Sequence, residues 1–250
     1  MRSLFQHLSR IKNARRFSVP FTRRASFKVP GKITICGQVV PVKAPNERGI
    51  RNDFLTCFIN DDYGLSALNQ PIQSVIDLGA NVGFFSMATR SYFPNAKIQS
   101  YEPNPRIKEY LLENAISTNF QPFFEAVGSA DSFVLIDDSG DSNQARTVAV
   151  EANSISNSLN IQKTALSTVV ERIGGQVDLA KIDCEGGEWD LFNDLATFQK
   201  IKHVRMEYHL WGQHSFDEVE TFFHEAGFQI IFHRPSEEWG MLWAKNLKQI

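Results

Sequence analysis

From residue 71 onward, short continuous apolar runs alternate with stretches whose apolar residues recur every three or four positions. The runs read as strands buried on both faces, and the stretches between them as amphipathic helices. Strands are expected at Ser74–Leu78, Lys97–Glu102, Pro122–Val127, Val177–Asp183 and Lys202–Tyr208. Helices are expected over 82–92, 105–117, 167–173, 187–195 and 215–226. Several ends carry local signals. Asn104 can cap a helix with Pro105 at its first position, Ser167 can cap the helix that Gly174-Gly175 ends, and Ser215 with Glu218 forms a capping box. Phe228–His233 and Trp239–Ala244 read as a final antiparallel pair. This alternation predicts an α/β, Rossmann-like fold with a mostly parallel seven-stranded sheet and a last antiparallel strand.

Two regions depart from the alternation. Residues 132–151 alternate in the strand manner around Asp137–Asn143, which suggests an inserted hairpin, and the Ser/Asn-rich residues 152–164 read as a loop. Before residue 71 the pattern weakens. Lys32–Val42 gives two short strand-like runs around Gly37-Gln38, a small hairpin. Residues 44–70 are polar, lack a clear period and read as a cap or connector. Residues 1–25 read as a basic flexible tail, 26–70 as a hairpin and cap, and 71–250 as the main domain.

Composition adds an asymmetry. The 250 residues are 42% hydrophobic with a net charge of −2, the profile of a globular chain able to bury a full core. Residues 1–45 hold ten Lys/Arg and no Asp/Glu, so the remainder has a balance of −12. The basic segment, with Leu4, Leu8 and Ile11 at helical spacing, is compatible with peripheral contact to anionic lipid. The acidic remainder should repel phosphate backbones, so no nucleic-acid partner is expected. Three widely spaced cysteines without a C-x-x-C suggest neither a disulfide framework nor a zinc site, and a reducing cytoplasm is the expected location. No compact apolar core follows the N-terminal charges, so a secretory signal is not expected.

The chemistry is concentrated at strand ends. Val75–Phe85 is a buried strand ending in Asp77, then a glycine turn, then a helix start, and Glu102 closes the next strand. A glycine turn followed one βαβ unit later by a carboxylate holds a nucleoside and its ribose. A dinucleotide fingerprint needs G-x-G-x-x-G, and Asn81 and Phe84 occupy two of its glycine positions. An NAD-linked oxidoreductase is therefore the weaker alternative, and a non-catalytic protein that kept the fold is a second.

The pattern Asp77-x-Gly79-x-Asn81-x-Gly83 resembles the first motif of class I methyltransferases, which use S-adenosylmethionine (SAM). Lys181-Ile182-Asp183-Cys184-Glu185-Gly186-Gly187-Glu188 looks like the signature of the FkbM-type SAM-dependent methyltransferases. Glu102-Pro103-Asn104-Pro105, Ala126-Val127-Gly128 and Met206-Glu207-Tyr208-His209 follow in that family's order, so the resemblance spans roughly residues 70–232. Ala165-Leu166-Ser167-Thr168 departs from the family's usual T-L-D-D.

The resemblance implies methyl transfer from SAM, usually to a hydroxyl, with a small-molecule or glycan acceptor such as a saccharide or natural product. Gly79, Asn81 and Gly83 would let the backbone approach the methionine part of SAM. Asp77 would hold the turn or reach the amino-acid end through water, and Glu102 would bind both ribose hydroxyls. Ala126 marks the adenine edge, with the neighbouring Glu125 simply solvated. Asp183 and Glu185 would orient the SAM amine and the acceptor, and Glu188 would complement a helix dipole. His209 is the candidate general base, its tautomer fixed by Glu207. The arrangement is read as metal-free; a hard divalent cation such as Mg²⁺ on Asp183, Glu185 and Glu207 is the alternative.

Overall fold

A computed structural model of the protein describes residues 2–21, 26–137, 140–142, 145–149 and 161–249. Its centre is a seven-stranded sheet built from β3 (Ser74–Leu78), β4 (Lys97–Tyr101), β5 (Gln121–Phe123), β10 (Val177–Ile182), β11 (Ile201–His209), β12 (Phe228–Pro235) and β13 (Trp239–Asn246). The spatial order is β12-β13-β11-β10-β3-β4-β5. Every neighbouring pair is parallel except the two that involve β13. The chain winds outward from β3 through β4 to β5, then returns to β10 on the other side of β3 and winds through β11. The order therefore reverses between β3 and β10, and the crevice beyond their carboxyl ends is where such a sheet binds ligands.

Strand alternation explains the two cores. Val75 and Leu179 point to one face and Ile76 and Ala180 to the other, all four fully buried. The first face packs beneath α3 (Phe84–Tyr92) and α4 (Lys108–Thr118), the second beneath α5 (Leu166–Ile173) and α8 (Phe216–Glu225). The capping box of α8 is present, with Ser215 and Glu218 bonded reciprocally. α5 starts at Leu166, one residue ahead of the expected cap Ser167. The helix expected over 187–195 is broken into α6 (Glu188–Leu191) and α7 (Leu195–Phe198).

The region after α4 differs from expectation. The single strand expected at 122–127 is divided: β5 stays in the main sheet, while β6 (Ala126–Gly128) enters a second, four-stranded sheet. The division falls at Glu125, whose carboxylate accepts from Arg172 and from the Thr164 hydroxyl. These bonds turn the side chain inward, so Glu125 is buried and ion-paired rather than solvated. The inserted hairpin is present as β7 (Ser132–Asp137) and β8 (Arg146–Ala149). Of the loop expected over 152–164, residues 152–160 lie outside the described residues. The rest belongs to β9 (Ile161–Ala165), which pairs with β6 and β7.

The N-terminal hairpin consists of β1 (Lys32–Ile35) and β2 (Gln38–Pro41), joined by Cys36 and Gly37, both at positive φ. Two such residues suit the tight turn that follows the twist of paired strands. Where a tail was expected, Arg2–Arg16 forms helix α1, docked on the body. Asn13 Nδ2 donates to the Ile59 carbonyl at 3.0 Å, and Arg16 donates to the Ser91 carbonyl while its guanidinium stacks 3.9 Å from the Tyr92 ring. The reason is Phe17, fully buried and edge-on to Phe58 at 4.9 Å, with Val19 and Phe27 buried in the same core. Replacing Phe17 with Ala should cost about 3–5 kcal/mol of stability and expose the first 30 residues to limited proteolysis. A loss under about 1 kcal/mol by urea unfolding would show that α1 is not part of the cooperative fold.

Residues 44–70 are mostly helical: α2 (Arg48–Phe54), a wide helical turn at Leu55–Asn60 and a short turn at Leu65–Ala67. The lack of period reflects a segment buried on several sides. It lies over the carboxyl edge of the sheet and is tied to the insertion, where Glu47 accepts from the Ser142 amide at 2.7 Å. No described helix is long and apolar enough to cross a membrane.

Candidate functional site

A cleft opens at the switch point between β3 and β10. Its floor is the turn after β3, and one wall is Glu102 with Glu125 and Ala126. The opposite wall carries Asp183, Glu185 and Glu207, and the roof is Asp53, Cys57 and Tyr63 from the N-terminal cap. The fold thus brings together Gly79, Asn81, Glu102, Ala126, Asp183 and Glu185 as expected. Asp77, Gly83 and His209 stand behind the lining rather than in it.

Glu102 faces the cleft with both oxygens held. Oε2 accepts from the Asn81 amide and Oε1 from the Asn104 amide, each at 2.8 Å. These bonds fix the carboxylate beside the turn at the end of β4. Burial raises its pKa to about 7 although both amides favour the ionised form.

The turn is shaped largely by the protein itself. Asn81 sits at φ 47°, in the left-handed region Asn tolerates, and its side-chain Nδ2 donates to Asp53 Oδ2 at 3.3 Å. A Cβ on Gly79 would lie 1.7 Å from the Asp183 carbonyl oxygen, so this glycine is demanded by contact between neighbouring strand ends. A Cβ on Gly83 would lie 2.6 Å from Phe120, so this one lets the start of α3 pack against α4 and the loop after it. Both glycines therefore have a packing reason of their own, beside the expected role of letting backbone approach a ligand.

Asp77 is fully buried. It accepts from the Ser86 hydroxyl at 2.7 Å and lies 3.5 Å from Lys181 Nζ. Of the two roles expected for Asp77, holding the turn is the one its contacts serve. Lys181 itself was legible only as a motif letter. Its ammonium donates to the Gly79 carbonyl at 2.6 Å and sits 3.5 Å from Asp183 as well as Asp77. Burial works against its charge, but Asp183 and Asp77 prevail and hold its pKa above the ordinary lysine value. Tyr63, also unanticipated, donates its hydroxyl to Asp183 Oδ2 at 2.9 Å.

His209 is held more tightly than expected, and by a different partner. Glu188, fully buried, accepts from His209 Nδ1 at 2.9 Å and from the His209 amide at 2.6 Å, while its other oxygen accepts from the Gly186 amide. Glu188 stands in the first turn of α6, as expected of a helix N-terminal carboxylate, and is also the orienting group for the imidazole; Glu207 does not fix the tautomer. Nε2 faces Glu185 at 3.4 Å and Glu207 at 3.8 Å. Burial disfavours the imidazolium, yet the Glu188 hydrogen bond and the charges of Glu188, Asp183 and Glu185 raise the His209 pKa to about 9. Burial, then the Asp183 charge, raise Glu185 to about 8 and push Glu207 well above the usual carboxylate range.

The cleft fits SAM in its donor set. It offers an acceptor-only carboxylate at a strand end for a ribose diol, and the buried Asn81 Oδ1 has no hydrogen-bond partner among the described residues. That orphaned acceptor suits an ammonium or other donor group of a ligand.

A family model for the methyltransferase FkbM domain matches residues 77–230. No curated protein matches the chain in sequence. Among solved structures, the chain is similar to a ribosomal protein L11 methylase from Lactobacillus delbrueckii subsp. bulgaricus, with 14% identity, coverage of 82% of this chain and 81% of that one, and a TM-score of 0.45. It is also similar to the Methanococcus jannaschii fibrillarin pre-rRNA processing protein, at 14% identity, 91% and 85% coverage and a TM-score of 0.47. Fibrillarin from Aeropyrum pernix, solved with natively bound SAM, shares 11% identity over 70% of this chain and 67% of its own, with a TM-score of 0.45.

Proposed function

This chain belongs to the FkbM methyltransferase family, and on that premise we propose that it is a SAM-dependent O-methyltransferase acting on a hydroxyl of a saccharide or natural-product acceptor. The supporting observation is the wall formed by Asp183, Glu185 and Glu207 at the carboxyl ends of β10 and β11, next to the nucleoside side of the cleft. Carboxylates accept hydrogen bonds from hydroxyls without competing as donors, so they orient a polyhydroxylated acceptor and disfavour a phosphate-rich one.

SAM, when bound, supplies an electrophilic methyl group. The residues that would hold it are Glu102 for the ribose hydroxyls, Asn81 with the turn amides for the amino-acid end, and the backbone at Ala126 for the base. The rest of the work falls to the acidic wall. An alcohol becomes nucleophilic as its proton leaves, and a base near neutral pKa is best suited to take it. Glu207 is placed for that role: it lines the cleft, and burial and the Asp183 charge raise its pKa above the usual carboxylate range. His209, the base expected from sequence, instead lies behind Glu185 and Glu207 with Nδ1 committed to Glu188. Tyr63 and Lys181 hold Asp183 in place from the cap and from β10. Asp53, Cys57 and Tyr63 of the cap line the cleft from the N-terminal side.

The test is a methyl-labelling assay with purified protein across saccharides, phenolic and polyketide alcohols, peptides and RNA. Label should enter hydroxyl compounds as a methyl ether, with turnover falling at least about 100-fold in Glu207→Gln. Label entering RNA or peptide nitrogen in preference to every alcohol would overturn the reading.

A further inference from the structure

We propose that the end of β10 and the end of β11 form a divalent transition-metal site, with Asp183, Glu185 and His209 as protein ligands. The inference rests on the hydroxyl-methylation reading and deepens it, because the open positions of such a metal would face the acceptor side of the cleft.

Three features carry it. First, one ligand atom each of Asp183, Glu185 and His209 lie within 4.8 Å of one another. His209 Nε2 is 3.4 Å from Glu185 Oε2. Two donors each about 2.1 Å from a common metal lie roughly 3.0–3.5 Å apart at octahedral or tetrahedral angles, so this spacing already suits a shared ion. Second, the imidazole is prepared as a ligand. Glu188 accepts from Nδ1, and that bond leaves Nε2 as the nitrogen that faces the carboxylates. Glu188 is itself fixed by the His209 and Gly186 amides, and Trp189 donates its indole N–H to the His209 carbonyl. A histidine whose remote nitrogen is bound by a carboxylate is the arrangement by which proteins orient metal-binding imidazoles. Its side chain is 5% exposed, so its orientation is set by the protein. Third, the three donors are not equally accessible. Asp183 and Glu185 are about one-fifth exposed and line the cleft, so a bound ion would be reached from the cleft side.

The donor set points to a class of ion. One imidazole with two carboxylates suits Mn²⁺, Zn²⁺ or Fe²⁺ better than Mg²⁺ or Ca²⁺, which favour all-oxygen sets. A cation there would polarise an acceptor hydroxyl and ease loss of its proton to Glu207, which stands 3.8 Å from Nε2. Glu188 is the positioning residue of the site, acting through His209.

Calorimetry of chelator-treated full-length protein with Mn²⁺ tests this, with Mn²⁺ electron paramagnetic resonance as a second readout. Saturable binding of one Mn²⁺ per chain is expected, weakened at least about 100-fold in Glu185→Gln and about 10–100-fold in Glu188→Gln. Circular dichroism and thermal melting certify that each variant is folded, and S-adenosylhomocysteine titration of wild-type protein reports separately on the methyltransferase reading. Absence of saturable Mn²⁺ and Zn²⁺ binding in wild-type protein that binds S-adenosylhomocysteine overturns the metal site and leaves methyl transfer standing. Equal Mn²⁺ affinity in wild type and in folded Glu185→Gln overturns it too.

Discussion

Replacing Glu102 with Ala should weaken S-adenosylhomocysteine binding about 100-fold or more, with the fold intact. Both oxygens of Glu102 are fixed by backbone amides at 2.8 Å, so its remaining lone pairs are aimed without entropic cost. Hydrogen bonds to a charged group contribute roughly 1.5–3 kcal/mol each, and a ribose offers two hydroxyls. Loss of about 2.7 kcal/mol gives the hundredfold effect. Glu102→Gln keeps the shape but loses the charge, and should fall between the two. A pH series sharpens the test. The Glu102 pKa is raised to about 7, so folding favours its protonated form relative to the unfolded chain. Its contribution to stability is present in full below the ordinary glutamate value and is lost as pH rises through about 7. A ribose diol favours the ionised form. The rise in melting temperature caused by S-adenosylhomocysteine should therefore grow between pH 6 and 8 in wild type, and this Glu102-linked growth should be absent in Glu102→Gln. Affinity in Glu102→Ala equal to wild type would place the nucleoside elsewhere.

Lys181→Met should destabilise the protein by about 3–5 kcal/mol. Lys181 is 4% exposed and supplies the cation 3.5 Å from each of Asp77 and Asp183. Methionine fills the volume but leaves a buried aspartate without its cation and the Gly79 carbonyl without its donor. Breaking one partner of a buried charge cluster costs more than the cluster contributes as a whole, because the remaining charge stays desolvated. For a domain of this size the melting temperature should fall by roughly 10 °C. Because Asp77 Oδ1 has no hydrogen-bond partner among the described residues, adding Asp77→Asn should restore part of the loss. A single-variant loss under about 1 kcal/mol by urea unfolding, or no recovery in the double variant, would refute the account of Lys181 as the tie between β3 and β10.

Much of the frame was legible because local periodicity reports it directly. The strands at Ser74–Leu78 and Lys97–Tyr101, the hairpin at Lys32–Pro41 and the box at Ser215 and Glu218 follow from side-chain alternation, turn residues and caps acting within a few positions. Errors arose where a distant partner overrode the local signal. Pro122–Val127 reads as one strand, but Glu125 turns inward to Arg172, 47 residues away, and the strand divides. Residues 1–25 read as a tail from their charge, but Phe17 finds a pocket beside Phe58.

The same distinction runs through the site. The sequence alone determined the cleft's chemistry: an acidic residue at the end of each central strand, a turn unsuited to a dinucleotide, and the paired motifs at 77–83 and 181–188. Only the tertiary structure decided how the work is divided among those residues. Tyr63 reaches Asp183 across 120 positions, Glu188 captures His209 across 21, and Gly79 is fixed by the Asp183 carbonyl it touches. Such contacts depend on sheet order and on which strand ends become neighbours. Those are set by burial summed over the whole chain, which no local pattern of residues encodes.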